Sequence, residues 1–109
     1  YVLTAPEVLQ TYSCDACTLI QTVPGAVVLP NTTQQVAALV KLCTQQGIPY
    51  VARGAGTGLS GGALALNGAL TIGLNRLNKL LHLDHRMHRA QVQTGVINAW
   101  INHAAEPFR

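Results

Sequence analysis

The chain has 109 residues, enough for one modest core, and its 49% hydrophobic and 10% charged residues exclude a largely disordered protein. A net charge of +3 is too small to indicate nucleic-acid binding, and no apolar run approaches the ~20 residues that span a bilayer. The odd cysteine count argues against a disulfide-bonded secreted scaffold, and the N-terminus lacks a signal-peptide pattern. We therefore expect a soluble, cytoplasmic protein.

The first half of the chain predicts a short helix, a strand and a long helix. Residues 5–12 form the short helix, and the apolar run 26–29, closed by a proline, suits a buried strand. Asn31 or Thr32 caps the long helix, and Gly47 ends it. Its apolar face repeats at helical spacing through Val36, Leu39, Val40 and Cys43.

A second strand, residues 50–52, follows that helix. The order strand, helix, strand predicts that residues 26–29 and 50–52 form a parallel pair, side by side. Asn67-Gly68 predicts a tight turn, and residues 70–74 predict another strand.

The last part of the chain predicts a hairpin and a helix. Residues 80–83 and 89–93 form the hairpin, in which Ala90 and Val92 pair with Leu81 and Leu83. The helix covers residues 96–105, and its apolar stripe is expected in the core: Ile97, Trp100, Ile101 and Ala104. The fold class is therefore α+β, with short parallel strands, helices and a β-hairpin.

Five glycines in the eleven residues 53–63 (RGAGTGLSGGA) are the strongest functional signal. Glycine is costly to order, but it lets consecutive main-chain N–H groups converge on an anion without interference from Cβ atoms. The hydroxyls of Thr57 and Ser60 add donors. Because the stretch directly follows a buried strand, it predicts a phosphate-binding loop rather than a flexible surface loop.

Two familiar phosphate loops fit poorly. Gly62 and Ala63 stand where a Walker A loop needs Lys and Ser or Thr. Gly56-x-Gly58-x-x-Gly61 matches a dinucleotide fingerprint, and Asp84 follows at a suitable distance, but too few residues remain before Asn67-Gly68 for a crossover helix. An NAD-binding Rossmann unit is therefore the second choice, and a noncatalytic nucleotide-binding module is another alternative.

A family resemblance makes the prediction more specific. The run VARGAGTGLSGGA, preceded by VVLPNTTQQV and followed by RAQVQTGV, resembles the N-terminal part of FAD-linked 2-hydroxyacid oxidases and dehydrogenases of the vanillyl-alcohol oxidase, or PCMH, type. The resemblance implies the first subdomain of a PCMH-type FAD-binding domain, with the glycine stretch around the diphosphate of FAD. By position it implies the following cofactor-binding residues: Arg53, Gly54, Ala55, Gly56, Thr57, Gly58, Leu59, Ser60, Gly61, Gly62, Gly95 and Val96.

The same resemblance sets further expectations. Thr94 replaces the family's proline before Gly95, which weakens the implied contact there, and the absence of histidine from residues 53–63 implies noncovalent FAD. The resemblance implies oxidation of a 2-hydroxy acid such as glycolate or D-lactate, and an iron–sulfur or other electron-transfer subunit as partner. Residues 1–109 would form the N-terminal half of the FAD domain of a longer protein, without catalytic residues. Alone, they would be inactive.

Other polar clusters have simpler interpretations. His82, His85 and His88 lie on a strand-turn-strand path that would not bring them together, so a metal site is disfavoured. Cys14 and Cys17 are interpreted as reduced cysteines in a loop. Arg53 either neutralises a phosphate or pairs with a carboxylate outside these residues, and the pairing is the preferred interpretation.

Overall fold

The computed structural model describes residues 1–108, which form a four-stranded sheet, a separate two-stranded hairpin and three α-helices. In chain order, the elements are β1 (Val2–Leu3), α1 (Pro6–Gln10), β2 (Ala26–Val28), α2 (Thr33–Gln46), β3 (Tyr50–Arg53), β4 (Leu70–Gly73), β5 (Leu80–Asp84), β6 (Arg89–Val92) and α3 (Asn98–Ala105), with 3-10 turns at Leu66–Gly68 and Glu106–Phe108. The predicted α+β class is confirmed.

Helix α2 starts and stops as its sequence predicts. The Oγ1 atom of Thr32 accepts the N–H of Gln35 at 3.2 Å, and Oε1 of Gln35 accepts the N–H of Asn31 at 2.7 Å. These reciprocal bonds satisfy N–H groups that a helix start otherwise leaves free. Gly47 ends the helix with φ of 64°, a left-handed conformation that favours glycine.

The main sheet has the strand order β1-β2-β4-β3, so the predicted side-by-side pairing of the strands flanking α2 is wrong. Strand β4 lies between β2 and β3 and pairs in parallel with both, with Thr71 opposite Val27 on one side and Val51 on the other. The pattern of β2, α2 and β3 sets their common direction but does not determine whether a later strand comes between them. In this central place Thr71, Ile72 and Gly73 are all buried, as expected for a strand that is paired on both sides.

The core lies where the sheet meets α2 and the segment after β4. Val27 and Ile72 come from adjacent strands and are 0% and 2% exposed, while Cys43 of α2 and Leu77 are also buried. Burying an aliphatic side chain of this size contributes about 1.5–3 kcal/mol. This packing fixes the sheet edge at which β3 and β4 end.

The connection between β3 and β4, residues 54–69, contains the glycine stretch and one 3-10 turn but no α-helix. Asn67 and Gly68 have positive φ angles, which confirms the predicted turn. Because the dinucleotide fingerprint requires a helix opening at its third glycine, the Rossmann alternative loses its structural support.

The hairpin departs from its predicted register at one end. Leu83 pairs with Ala90 as expected, but Val92 lies opposite Leu80 because a bulge at Leu81 shifts the pairing. At the turn, Oδ1 of Asp84 accepts two main-chain N–H groups, from Arg86 at 3.1 Å and Met87 at 3.0 Å. The turn is thereby held by its own carboxylate.

Helix α3 begins at Asn98, two residues later than predicted, and its apolar stripe is not buried. Ile97 and Trp100 are 52% and 48% exposed, so the prediction that Trp100 lies in the core is wrong. Among residues 1–108, no helix is both long and apolar enough to cross a membrane.

Candidate cofactor-binding site

A cavity of about 740 Å³ opens at the shared carboxyl edge of β3 and β4. Its size falls within the ~300–1,000 Å³ typical of small-molecule sites, and ligands of parallel sheets commonly bind at this edge. The wall comprises Thr11, Tyr12, Arg53, Gly54, Ala55, Thr57, Gly73, Asn75, Asn78, Thr94, Gly95, Val96, Ile97, Asn98 and Trp100. Among the described residues of this wall, Arg53 is the only charged one, so the cavity is suited to an anion.

Arg53 supplies a buried donor without an acceptor. The side chain is 8% exposed, its Nη2 donates to the carbonyl of Cys14 at 2.9 Å, and its guanidinium carbon lies 5.6 Å from the ring centroid of Tyr12. Within residues 1–108, Nη1 has no hydrogen-bond partner. A buried cationic N–H left unpaired is costly, and an acceptor that reaches this atom from the cavity, which Arg53 lines, would remove that cost.

No carboxylate of residues 1–108 forms an ion pair with Arg53. The preferred interpretation from sequence, pairing with a carboxylate outside these residues, therefore stays a prediction.

Gly56 places the glycine stretch directly against Arg53. Its φ is 73°, and a Cβ atom added there would overlap the guanidinium group, coming within 2.6 Å of Cζ. Only glycine combines this backbone conformation with so close an approach. The main chain of the stretch therefore rests on the buried cation.

Most main-chain N–H groups of residues 54–62 have no hydrogen-bond acceptor within residues 1–108. Within residues 1–108, one of them donates a hydrogen bond: the N–H of Gly61 binds Oδ2 of Asp15 at 2.9 Å. Gly61 was expected among the residues around the diphosphate, but its N–H is already held by a carboxylate. The free N–H groups lie in residues 54–60 and at Gly62.

The structure brings six of the twelve predicted site residues to the cavity and leaves six outside its wall. Those in the wall are Arg53, Gly54, Ala55, Thr57, Gly95 and Val96. Those outside it are Gly56, Gly58, Leu59, Ser60, Gly61 and Gly62. Of the residues outside the wall, Gly56 packs against the guanidinium of Arg53, while Leu59 is 73% exposed.

Gly95 has a packing role beside its position in the cavity wall. Its N–H donates to the carbonyl of Leu77 at 2.8 Å, and an added Cβ would overlap the carbonyl of Leu74 and lie 2.8 Å from Cα of Asn75. The close crossing of these segments brings residues 94–96 to the cavity.

Sequence reasoning missed the polar and aromatic side of the cavity. Asn75 and Asn78 follow β4, Asn98 begins α3, and Tyr12 and Trp100 contribute aromatic rings. The signal for the two asparagines after β4 was their place directly behind a strand, which points to this edge only once β4 is known to lie beside β3.

The remaining polar clusters do not form a second site. Among residues 1–108, no group of three or more His, Cys, Asp or Glu side chains is arranged to hold a metal ion. His85 instead stacks on Phe108, with ring centroids 4.4 Å apart. Cys14 and Cys17 are free thiols in partly buried positions, as predicted for a loop.

Residues 24–108 match the protein family described as an FAD binding domain. The chain belongs to this FAD-binding family. Glycolate oxidase subunit GlcD of Escherichia coli (strain K12) is 40% identical over 106 residues, which cover 97% of this chain and 21% of that protein. D-lactate dehydrogenase of Anaerostipes hadrus is 35% identical over 97 residues, covering 88% of this chain and 20% of that protein.

The fold comparison agrees with this assignment. The structure of p-cresol methylhydroxylase with substrate bound superposes with a TM-score of 0.83 at 26% identity, over 98% of this chain and 22% of that chain. The predicted PCMH-type fold is thereby confirmed. The FAD-binding chain described here spans about a fifth of the length of the curated relatives it matches.

Proposed function

We propose that the cavity and the glycine stretch bind FAD noncovalently, with its diphosphate held by Arg53 and by main-chain N–H groups of residues 54–60. The whole protein is then an oxidoreductase that oxidises a 2-hydroxy acid such as glycolate or D-lactate. Membership of the FAD-binding family supports the cofactor, and the names of the relatives support the substrate class.

The unpartnered Nη1 of Arg53 carries the cofactor proposal. It is a buried cationic donor, the described residues of the cavity wall include no carboxylate, and the adjacent residues 54–60 have main-chain N–H groups without acceptors within residues 1–108. Each hydrogen bond from such a donor to a charged oxygen contributes about 1.5–3 kcal/mol. Three or four of them offset the entropy cost of ordering five glycines, so the residues present fit a diphosphate.

The chain's own residues bind and orient the cofactor. When bound, FAD would supply the two-electron oxidation of the carbon that bears the substrate's hydroxyl. Arg53 and the free N–H groups hold the diphosphate, while Gly95 and Val96 form another part of the cavity wall. We assign no catalytic residue to residues 1–108, and an iron–sulfur or other electron-transfer subunit is proposed as the electron acceptor.

Noncovalent attachment is supported by the composition of the cavity wall. Neither histidine nor cysteine is among its described residues, so residues 1–108 bring no imidazole or thiol into the wall. Denaturing the full-length protein in acid should therefore release all the flavin into the supernatant. Flavin colour that stays with the precipitated protein would contradict this part of the proposal.

We also propose a cytoplasmic location.

The test is the visible spectrum of the full-length protein, purified and then mixed without oxygen with glycolate, D-lactate or the matched control L-lactate. We expect flavin absorption bands that bleach with glycolate or D-lactate and persist with L-lactate. A protein without flavin bands after incubation with FAD would contradict the cofactor. A flavoprotein that none of the 2-hydroxy acids bleaches would contradict the substrate class alone.

A further inference from the structure

The segment Ser13–Cys17, here called the clasp, joins the glycine stretch by three hydrogen bonds from consecutive residues. The carbonyl of Cys14 accepts from Nη2 of Arg53 at 2.9 Å, and the N–H of Ala16 donates to the carbonyl of Gly58 at 3.1 Å. Between them, Asp15 accepts from Gly61. The clasp therefore contacts the stretch at its beginning, middle and end.

Asp15 is the central residue of the clasp. The residue is 5% exposed; Oδ1 accepts the N–H of Cys17 at 2.8 Å, and Oδ2 accepts the N–H of Gly61 at 2.9 Å. No Lys, Arg or His within residues 1–108 forms an ion pair with it. A buried carboxylate is costly unless hydrogen bonds compensate for lost hydration, and here main-chain N–H groups provide that compensation.

We propose that Asp15 is a positioning residue for the cofactor loop. Its carboxylate acts as an internal anion that binds the N–H of Gly61 and so fixes the far end of the stretch. The same clasp holds Nη2 of Arg53 and leaves Nη1 free. The diphosphate is thereby confined to the N–H groups before Gly61. The loop fixation rests on the observed contacts alone, whereas the effect on the diphosphate rests on the proposed function.

Hydrogen exchange in the cofactor-free full-length protein tests the loop fixation without any substitution. Read at single-residue resolution by mass spectrometry with electron-transfer fragmentation, the N–H of Gly61 should exchange at least tenfold more slowly than that of Gly62, which has no acceptor within residues 1–108. Equal exchange rates at the two glycines would overturn the proposal.

Substitution of Asp15 tests the effect on the cofactor. Asp15→Asn keeps the side-chain size but removes one of its two acceptor oxygens, and it places an NH2 group against an N–H donor. We expect the Kd for FAD, measured from flavin fluorescence, to rise at least tenfold, which is about 1.4 kcal/mol. The protection of Gly61 should fall in parallel.

Asp84→Asn is the matched control, because Asp84 also accepts two main-chain N–H groups but lies in the hairpin turn, outside the cavity wall. It should leave FAD affinity unchanged. An Asp15→Asn protein that binds FAD as tightly as the Asp84→Asn protein would overturn the proposal. The unsubstituted protein could bind no FAD while the N–H of Gly61 stays protected from hydrogen exchange. That result would contradict the proposed function and the effect of Asp15 on the diphosphate, but it would uphold the contact between the clasp and Gly61.

Discussion

Arg53 is the residue on which the cofactor site depends most directly, because it is the single charged group in the cavity wall described above. Arg53→Gln removes the cation and the free Nη1 donor. We expect FAD affinity to fall about 10- to 100-fold, since a hydrogen bond between charged groups contributes about 1.5–3 kcal/mol. Lys79→Gln, an exposed change of the same charge, is the control and should have little effect on the fluorescence-measured Kd. Equal affinities of the two variants for FAD would show that Arg53 does not contribute to cofactor binding.

Gly56 tests whether the close approach of the loop to Arg53 matters. Gly56→Ala imposes a left-handed conformation on alanine, at about 1–2 kcal/mol, and adds the overlap with the guanidinium. Gly47→Ala is the matched control: its φ is similarly positive, but an added Cβ meets nothing within 4 Å. In urea unfolding, we expect Gly56→Ala to cost more than Gly47→Ala, and only Gly56→Ala to weaken FAD binding. A smaller loss of unfolding free energy for Gly56→Ala than for Gly47→Ala would contradict the close packing of Gly56 against Arg53.

At the residue scale, the sequence predicts what depends on neighbours along the chain. The glycines, the preceding strand and Arg53 are contiguous, so their association with an anion site follows from local pattern alone. Asp15 carries no such signal, because its partner Gly61 lies 46 residues away. A lone aspartate in an irregular segment gives no indication of the N–H group that it will meet.

Helix α2 is the element whose formation is best explained by its own sequence. Thr32→Ala removes the oxygen that accepts the N–H of Gln35 and should lower the free energy of unfolding by about 1 kcal/mol. Thr33→Ala, an exposed change within the first turn, should alter stability much less. Urea midpoints measured at constant m-value provide the comparison. Similar losses of unfolding free energy in both variants would mean that the hydrogen bond to the Thr32 side chain does not stabilise the helix.

Strand adjacency shows where prediction at the element scale ends. Strands β2 to β6 were each placed within one residue from their apolar patterns, and β1 was not predicted. The position of β4 between β2 and β3 depends on which strands bury each other. The bulge at Leu81 and the half-exposed apolar stripe of α3 likewise depend on contacts with segments distant in sequence. Periodicity identifies an apolar face, whereas the surface that covers this face is set by segments distant in sequence.

At the scale of the whole molecule, the local predictions combine into one site. The α+β class followed from the order of the elements, and the position of the glycine stretch followed from β3. The cavity could not be outlined from the sequence because part of its wall, residues 94–98 with Trp100, is brought to the sheet edge by the close crossing at Gly95. This arrangement joins the glycine stretch and the Gly95-Val96 pair, which are more than thirty residues apart, around a single space.

A ligand that fills this space should stabilise the folded protein by an amount set by its affinity. A ligand that binds only the folded state contributes RT ln(1 + [L]/Kd), about 2.7 kcal/mol at a concentration 100 times its Kd. FAD added to the cofactor-free full-length protein should therefore raise the urea midpoint. NAD⁺ at the same concentration should leave it unchanged, because residues 54–69 lack the helix that a dinucleotide fingerprint requires. A larger shift with NAD⁺ than with FAD would restore the Rossmann alternative. Since both ligands carry a diphosphate, the difference between them measures recognition of the rest of the molecule, and equal shifts would restrict the site to the diphosphate alone.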